Sequence, residues 1–309
     1  MFGDETVLNK YREKANKAFI LSRNEEKNYL SQEEEMQVLG YFEAKLAEFC
    51  TKFKPPMPKA VKGTAFHYFK RFYLKNSIMD YHPKEILVTS VYLATKVEEF
   101  NVSITQFVAN VQGNQERATK IILNNELLLL KELNFNLTIH NPFRAVEGLL
   151  IDLKTRCSYL ENVDSFRPDI DTFLDQVFLT DAVLIYAPAQ IALAAIIHAA
   201  SRQKQNLDSY VTDLLFKGQG TNAIRTIVTC VRQIRILVKE VKEPVKGIKA
   251  LCEKLEACRN QDNNPDSAAY KRKLEELIDE DDALLEEPVA KSFRMDSDIG
   301  VKVLSPGAN

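Results

Sequence analysis

The chain has 309 residues, 45% of them hydrophobic, which is enough apolar material for two modest cores. Lys and Arg number 41 against 43 Asp and Glu, a net charge of −2, so no strong field draws the protein to nucleic acid or to an anionic membrane. Five scattered cysteines (Cys50, Cys157, Cys230, Cys252, Cys258) form no C-x-x-C pair and four histidines (His67, His82, His140, His198) are dispersed, which argues for reduced thiols and against a metal site. No run of 18 apolar residues occurs, and the N-terminus lacks a basic segment followed by an apolar one. An intracellular, unanchored protein is expected.

Periodicity near 3.6 residues recurs along the chain, so the expected class is all-α. A helix opening at Asp4, with Leu8, Tyr11, Ala15 and Phe19 on one stripe, occupies residues 1–22. The next opens at Ser31 with Glu34 as a capping box, carries Leu39, Phe42, Leu46, Phe49 and Phe53, and stops at the prolines of 55–58. A third helix buries Val61, Ala65, Phe69 and Phe72. The fourth, from Pro83 to Val97, is apolar almost all round and is expected at the centre of a bundle. A short helix near Thr105–Val111 and a longer one over Glu116–Leu133 close a five-helix unit spanning 30–138.

Asn141-Pro142, read as cap and first turn, restarts the order over 141–240. One helix carries Phe143, Val146, Leu150 and Leu153, and the next carries Phe173, Val177 and Leu184. A third starts at Pro188 and is again apolar on nearly all sides; helices over Tyr210–Phe216 and Ile224–Val238 follow. A further amphipathic helix is expected over 245–260, and both terminal helices are expected to pack on the first unit. The segment 261–309 is polar and acidic and is expected to be largely disordered, with Ser305-Pro306 as a candidate site for a proline-directed kinase.

The chain contains no G-x-G-x-x-G, G-x-x-x-x-G-K-[ST], G-x-S-x-G or H-E-x-x-H, so the common phosphate, nucleophile and metal signatures are missing. No catalytic residue, cofactor or metal is assigned. The basic residues between Lys52 and Lys75 read as an ordinary charged surface.

Three stretches are more specific: Tyr68-Phe69-Lys70-Arg71-Phe72-Tyr73, Leu93-Ala94-Thr95-Lys96-Val97-Glu98-Glu99-Phe100, and Asn125 through Leu137. Together they resemble the cyclin box, above all that of transcriptional cyclins. The fold implied is two tandem five-helix cyclin folds flanked by extra N- and C-terminal helices. Phe53 through Pro58 and His140 through Arg144 look like the cyclins of the CDK-activating kinase. That resemblance implies a nuclear, non-catalytic subunit that activates a cyclin-dependent kinase, alongside a RING-finger assembly factor and within TFIIH. Another transcriptional cyclin, such as cyclin C, is the nearest alternative; a TFIIB-like tandem cyclin fold is a more distant one.

By the same resemblance, Lys96 and Glu126 match the pair that grips the kinase αC region, and Leu130, Phe135 and Leu137 match its apolar contacts. Helical spacing agrees: Glu126 and Leu130 share a face, whereas Ile122, Leu129 and Leu133 point elsewhere, toward a core.

Overall fold

The computed structural model describes residues 3–23, 28–160, 162–241, 247–273 and 275–276; Ser305 lies outside them. Every regular element among the described residues is helical, and none is long and apolar enough to cross a membrane. All five cysteines are free. Helix α1 (Glu5–Ser22) is capped by Asp4, whose carboxylate accepts from the Val7 amide at 3.0 Å. Helices α2 (Gln32–Lys52), α3 (Lys59–Phe72), α4 (Pro83–Val97), α5 (Ile104–Val108) and α6 (Gln115–Glu132) form the first bundle. The Ser31 capping box opens α2 as its sequence requires.

Helices α7 (Phe143–Arg156), α8 (Arg167–Phe178), α9 (Ala182–Ile185), α10 (Pro188–Arg202) and α11 (Thr221–Lys239) form the second bundle, with a π-helical turn, Tyr210–Leu215, between α10 and α11. The repeat is clearest in its central helices. Both α4 and α10 are 15 residues long, begin with proline and are buried on nearly every side. Each also ends in a left-handed residue, Glu99 or Lys204, beyond which an amide bonds back across the last turn.

Three local differences from the sequence reading stand out. Phe173, Val177 and Leu184 do not share one helix: the chain breaks between α8 and α9, where the Thr180 hydroxyl bonds the Val177 carbonyl and the Ala182 amide, and Asp181 turns inward to accept from Arg12. Asn141 does not cap α7. Its side chain reaches across to α3 and donates to the Ala60 carbonyl and the Thr64 hydroxyl. The stretch near Tyr210 is helical but wound as π, with Tyr210 fixed by a 2.9 Å bond to Asp152.

Helix α12 (Ile248–Cys258) packs on α2, buries Leu255 and pairs Lys254 with Glu34. Beyond it Arg259 meets Glu85, and Asn260 bonds the Met79 carbonyl at 2.7 Å. The acidic segment is not structureless at its start: a short 3-10 turn, Gln261–Asn263, is followed by helical residues from 268.

The two bundles meet along α3 and α8. Phe66 stacks on Phe178 with ring centroids 5.7 Å apart, and Lys59 and Lys62 pair with Asp171 and Asp175 at 2.7 Å. Gly63 makes the close approach possible. A β-carbon there would collide with the Asn141 Oδ1 and meet the Phe178 ring at 3.0 Å. Gly63→Ala is therefore expected to cost about 1–3 kcal/mol by overpacking, read as a lower melting temperature. An unchanged melt would show that Asn141 yields without consequence.

Candidate functional site

Lys96 stands in the last turn of α4 and Glu126 in the middle of α6, two neighbouring helices of the first bundle. Their side chains meet at 2.5 Å, with Lys96 46% exposed and Glu126 18% exposed. The Lys96 ammonium also lies 4.8 Å from the centroid of the Tyr92 ring, which fixes the lysine stem against α4. The structure thus joins two residues thirty positions apart into one surface feature.

An apolar ledge borders that pair. Ile122, Leu129 and Leu133 of α6 and its C-cap are fully buried, as the periodicity requires. The opposite face of the same helix carries Leu123 and Leu127, exposed at 52% and 67%, with Leu130 half-buried beside them. Leu123 and Leu127 were not singled out by sequence. The available signal was a second 3–4 spaced leucine stripe on a helix whose core face was already complete.

The chain leaves α6 through two consecutive left-handed residues, Asn134 (φ 52°) and Phe135 (φ 55°). Asparagine tolerates that region, but a phenylalanine there costs about 1–2 kcal/mol, so the turn gains from outside support. Side chains from α3 and just beyond it supply that support. Arg71 donates to the Leu133 and Asn136 carbonyls at 3.0 and 2.8 Å, Tyr68 to the Leu137 carbonyl at 2.6 Å, and Lys75 to the Glu132 carbonyl. Burial raises the pKa of the Tyr68 phenol, which keeps it a donor. Within this clamp Phe135 projects outward, 64% exposed, while Leu137 stays half-buried. An exposed phenyl ring on a backbone held in a costly conformation is a preorganised contact.

A second cluster ties α1 to both bundles. Arg12 makes two bonds to Asp181, at 2.7 and 2.8 Å, and Lys70 of α3 pairs with Glu43 of α2 at 2.7 Å while standing 3.8 Å from Asp181. Burial opposes ionisation of Asp181, but the Arg12 hydrogen bonds and the charges of Lys70 and Arg12 outweigh it, leaving its pKa below normal. For Glu43 burial prevails over Lys70, and its pKa is raised. Helix α1 is expected from its sequence to pack on the first bundle; through Arg12 it also holds the second. These four groups form the inner wall of a cleft of ≈ 910 Å³ beside α1.

Among the described residues no cluster of three or more potential ligands could hold a metal ion. Comparison with known proteins accounts for both bundles. Residues 12–138 match the family model "Cyclin, N-terminal domain" and residues 141–239 match "Cyclin C-terminal domain". The Cyclin-H of Xenopus laevis is 45% identical over 249 residues, covering 79% of this chain and 77% of that one. The same fold occurs in the Chaetomium thermophilum CAK complex bound to ATP-γ-S, where the TM-score is 0.74 at 24% identity over 97% of this chain and 94% of that one. It occurs again in yeast TFIIK, with a TM-score of 0.63 at 22% identity over 77% of this chain and 95% of that one. Two tandem helical bundles, both cyclin family models and a 45% identical relative aligned over most of its length together show that this chain belongs to the cyclin family, within its H-type members.

Proposed function

We propose that this chain is the regulatory cyclin of a CDK-activating kinase, binding a cyclin-dependent kinase and switching it on while the chemistry stays in the partner. The observation that carries the reading is the paired Lys96 and Glu126 beside the ledge of exposed Leu127 and Phe135 and half-buried Leu130, on a surface braced from α3. An apolar ledge next to two hydrogen-bonding charges suits an amphipathic helix with exposed main-chain groups at its end. The kinase αC helix fits that description. Held inward, it completes the Lys–Glu pair that kinases need and shifts the population toward the active state.

The complexes named for the structural relatives, CAK and TFIIK, support a place in a transcription-linked kinase assembly in the nucleus. By the same reading a RING-finger factor is the third subunit and TFIIH the larger assembly. Activation-loop threonines of other cyclin-dependent kinases and the RNA polymerase II C-terminal domain are then the substrates. The test is a kinase assay on the purified catalytic subunit carrying its activating phosphates, with and without this chain. Activity is expected to rise saturably as the chain is added. Full activity without it sinks the reading.

A further inference from the structure

The second bundle carries a charge pattern that its core does not use. Helix α11 has 19 residues and no carboxylate among them, and the chain from Lys217 to Lys239 is free of acidic residues throughout. Of its cations, Arg225, Arg232 and Lys239 are exposed and Arg235 is half-buried. Among the described residues none of these four pairs with a carboxylate, whereas Arg202 of neighbouring α10 is held by Asp169 at 3.1 Å. The unneutralised field reaches His198 on α10. Its pKa is lowered by burial first and then by the charges of Arg235, Arg202 and Lys239, with Asp169 opposing.

The cations are also in line. Val231, Ile234 and Val238 turn into the core, and on the side turned away from it Arg225, Val228, Arg232, Arg235 and Lys239 follow one another at steps of three and four residues. Ile236 flanks that row; it and Val228 are 46% and 44% exposed. At about 1.5 Å per residue the row from 225 to 239 is roughly 21 Å long. In the free chain this arrangement is unfavourable. Arg232 lies three residues before Arg235, and Arg235 four before Lys239, spacings at which like charges repel. A surface that only had to stay wet would mix the signs. Steps of three and four are the seam on which a second helix packs, and guanidinium groups match carboxylates in bidentate pairs. Val228 and Ile236 among the cations favour a protein helix over a nucleic-acid backbone, which offers phosphates but no apolar side chain.

We propose that the outer face of α11 is a docking surface for an acidic amphipathic helix of a partner protein. Carboxylates of that helix pair with Arg225, Arg232, Arg235 and Lys239, and its apolar residues cover Val228 and Ile236. The surface belongs to the second bundle, whereas Lys96 and Glu126 stand on the first, so it does not rest on the docking role proposed above.

The experiment uses the full chain and a fluorescent helix-forming peptide of about three heptads, with Leu and Glu arranged on one face. A peptide of the same composition in scrambled order, and a short DNA duplex, serve as competitors for the same surface. Anisotropy titration is expected to show binding of the ordered peptide that weakens as salt is raised, because the paired charges are exposed. In the Arg232→Gln/Arg235→Gln variant affinity is expected to fall on the order of tenfold with an unchanged melting temperature. Should that variant melt early, Arg225→Gln/Lys239→Gln at the two ends of the row gives the same reading. Three results overturn the proposal: no binding of the ordered peptide, equal affinity in chain and variants, or equal affinity for the scrambled peptide. Tighter binding of the duplex, lost in the same variants, also overturns it, since the occupant is then a nucleic acid.

Discussion

Arg12→Ala is expected to lower the folding stability of this chain by about 3–5 kcal/mol, the usual cost of stranding one member of a buried ion pair. The Asp181 side chain is only 13% exposed and takes both of its shortest bonds from Arg12. Lys70 cannot replace them, since it stands 3.8 Å away and is already committed to Glu43 at 2.7 Å. The loss should appear in denaturant unfolding as a lower midpoint at neutral pH and should shrink under acid conditions, where protonated Asp181 no longer needs a cation. The sign follows from linkage: a carboxyl whose folded pKa is depressed contributes stability above its unfolded pKa and loses it as pH falls. Replacing both partners, Arg12→Met with Asp181→Leu, should recover much of the loss, because no charge is left buried alone. A deficit below about 1 kcal/mol in the single variant would mean that water reaches Asp181 freely.

The second expected result separates binding from folding. Lys96→Ala and Glu126→Ala should each weaken kinase binding by about 2 kcal/mol, some thirtyfold, while barely moving the melting temperature. In the free chain the two side chains satisfy one another at 2.5 Å, with Lys96 half-exposed and Glu126 partly buried, and a pair still open to water on the lysine side adds about 1 kcal/mol or less to stability. By the docking role proposed above, the pair enters a drier interface in the complex and bonds main-chain groups of the partner, so truncation would leave those groups unpaired. Leu133→Ala is the control from the other side of the same element. It is 1% exposed, and its removal should cost about 2–5 kcal/mol of folding stability. Calorimetric titration of the kinase, paired with thermal melts, reads both quantities. Wild-type affinity in both charge variants would show that the gripping pair lies elsewhere.

Much of this protein was legible in its amino-acid order. Proline at the start of α4 and of α10, the Ser31 capping box and the prolines after Lys52 set boundaries through backbone chemistry that acts locally. The all-round apolar character of α4 and α10 marked the centre of each bundle, because only a helix packed on every side can spare its polar face. The inward positions Ile122, Leu129 and Leu133 followed from period alone. Resemblance pointed to Lys96, Glu126, Leu130, Phe135 and Leu137, but it carried no geometry.

What only the tertiary structure decided are the features that join residues far apart in sequence. No local rule places Asp181 against Arg12; the break between α8 and α9 itself is capped locally, where the Thr180 hydroxyl donates to the Val177 carbonyl and accepts from the Ala182 amide, and the bond to Arg12 is what fixes the direction of Asp181. Asn141 looks like a helix cap until α3 offers its polar groups and Gly63 leaves room for it. The outward thrust of Phe135 depends on Arg71 and Tyr68 holding the carbonyls of a left-handed turn that Asn134 tolerates but Phe135 itself disfavours. Sequence determines periodicity and caps because those energies are local; a clamp between bundles or a braced turn exists only once packing has brought its partners within hydrogen-bond range.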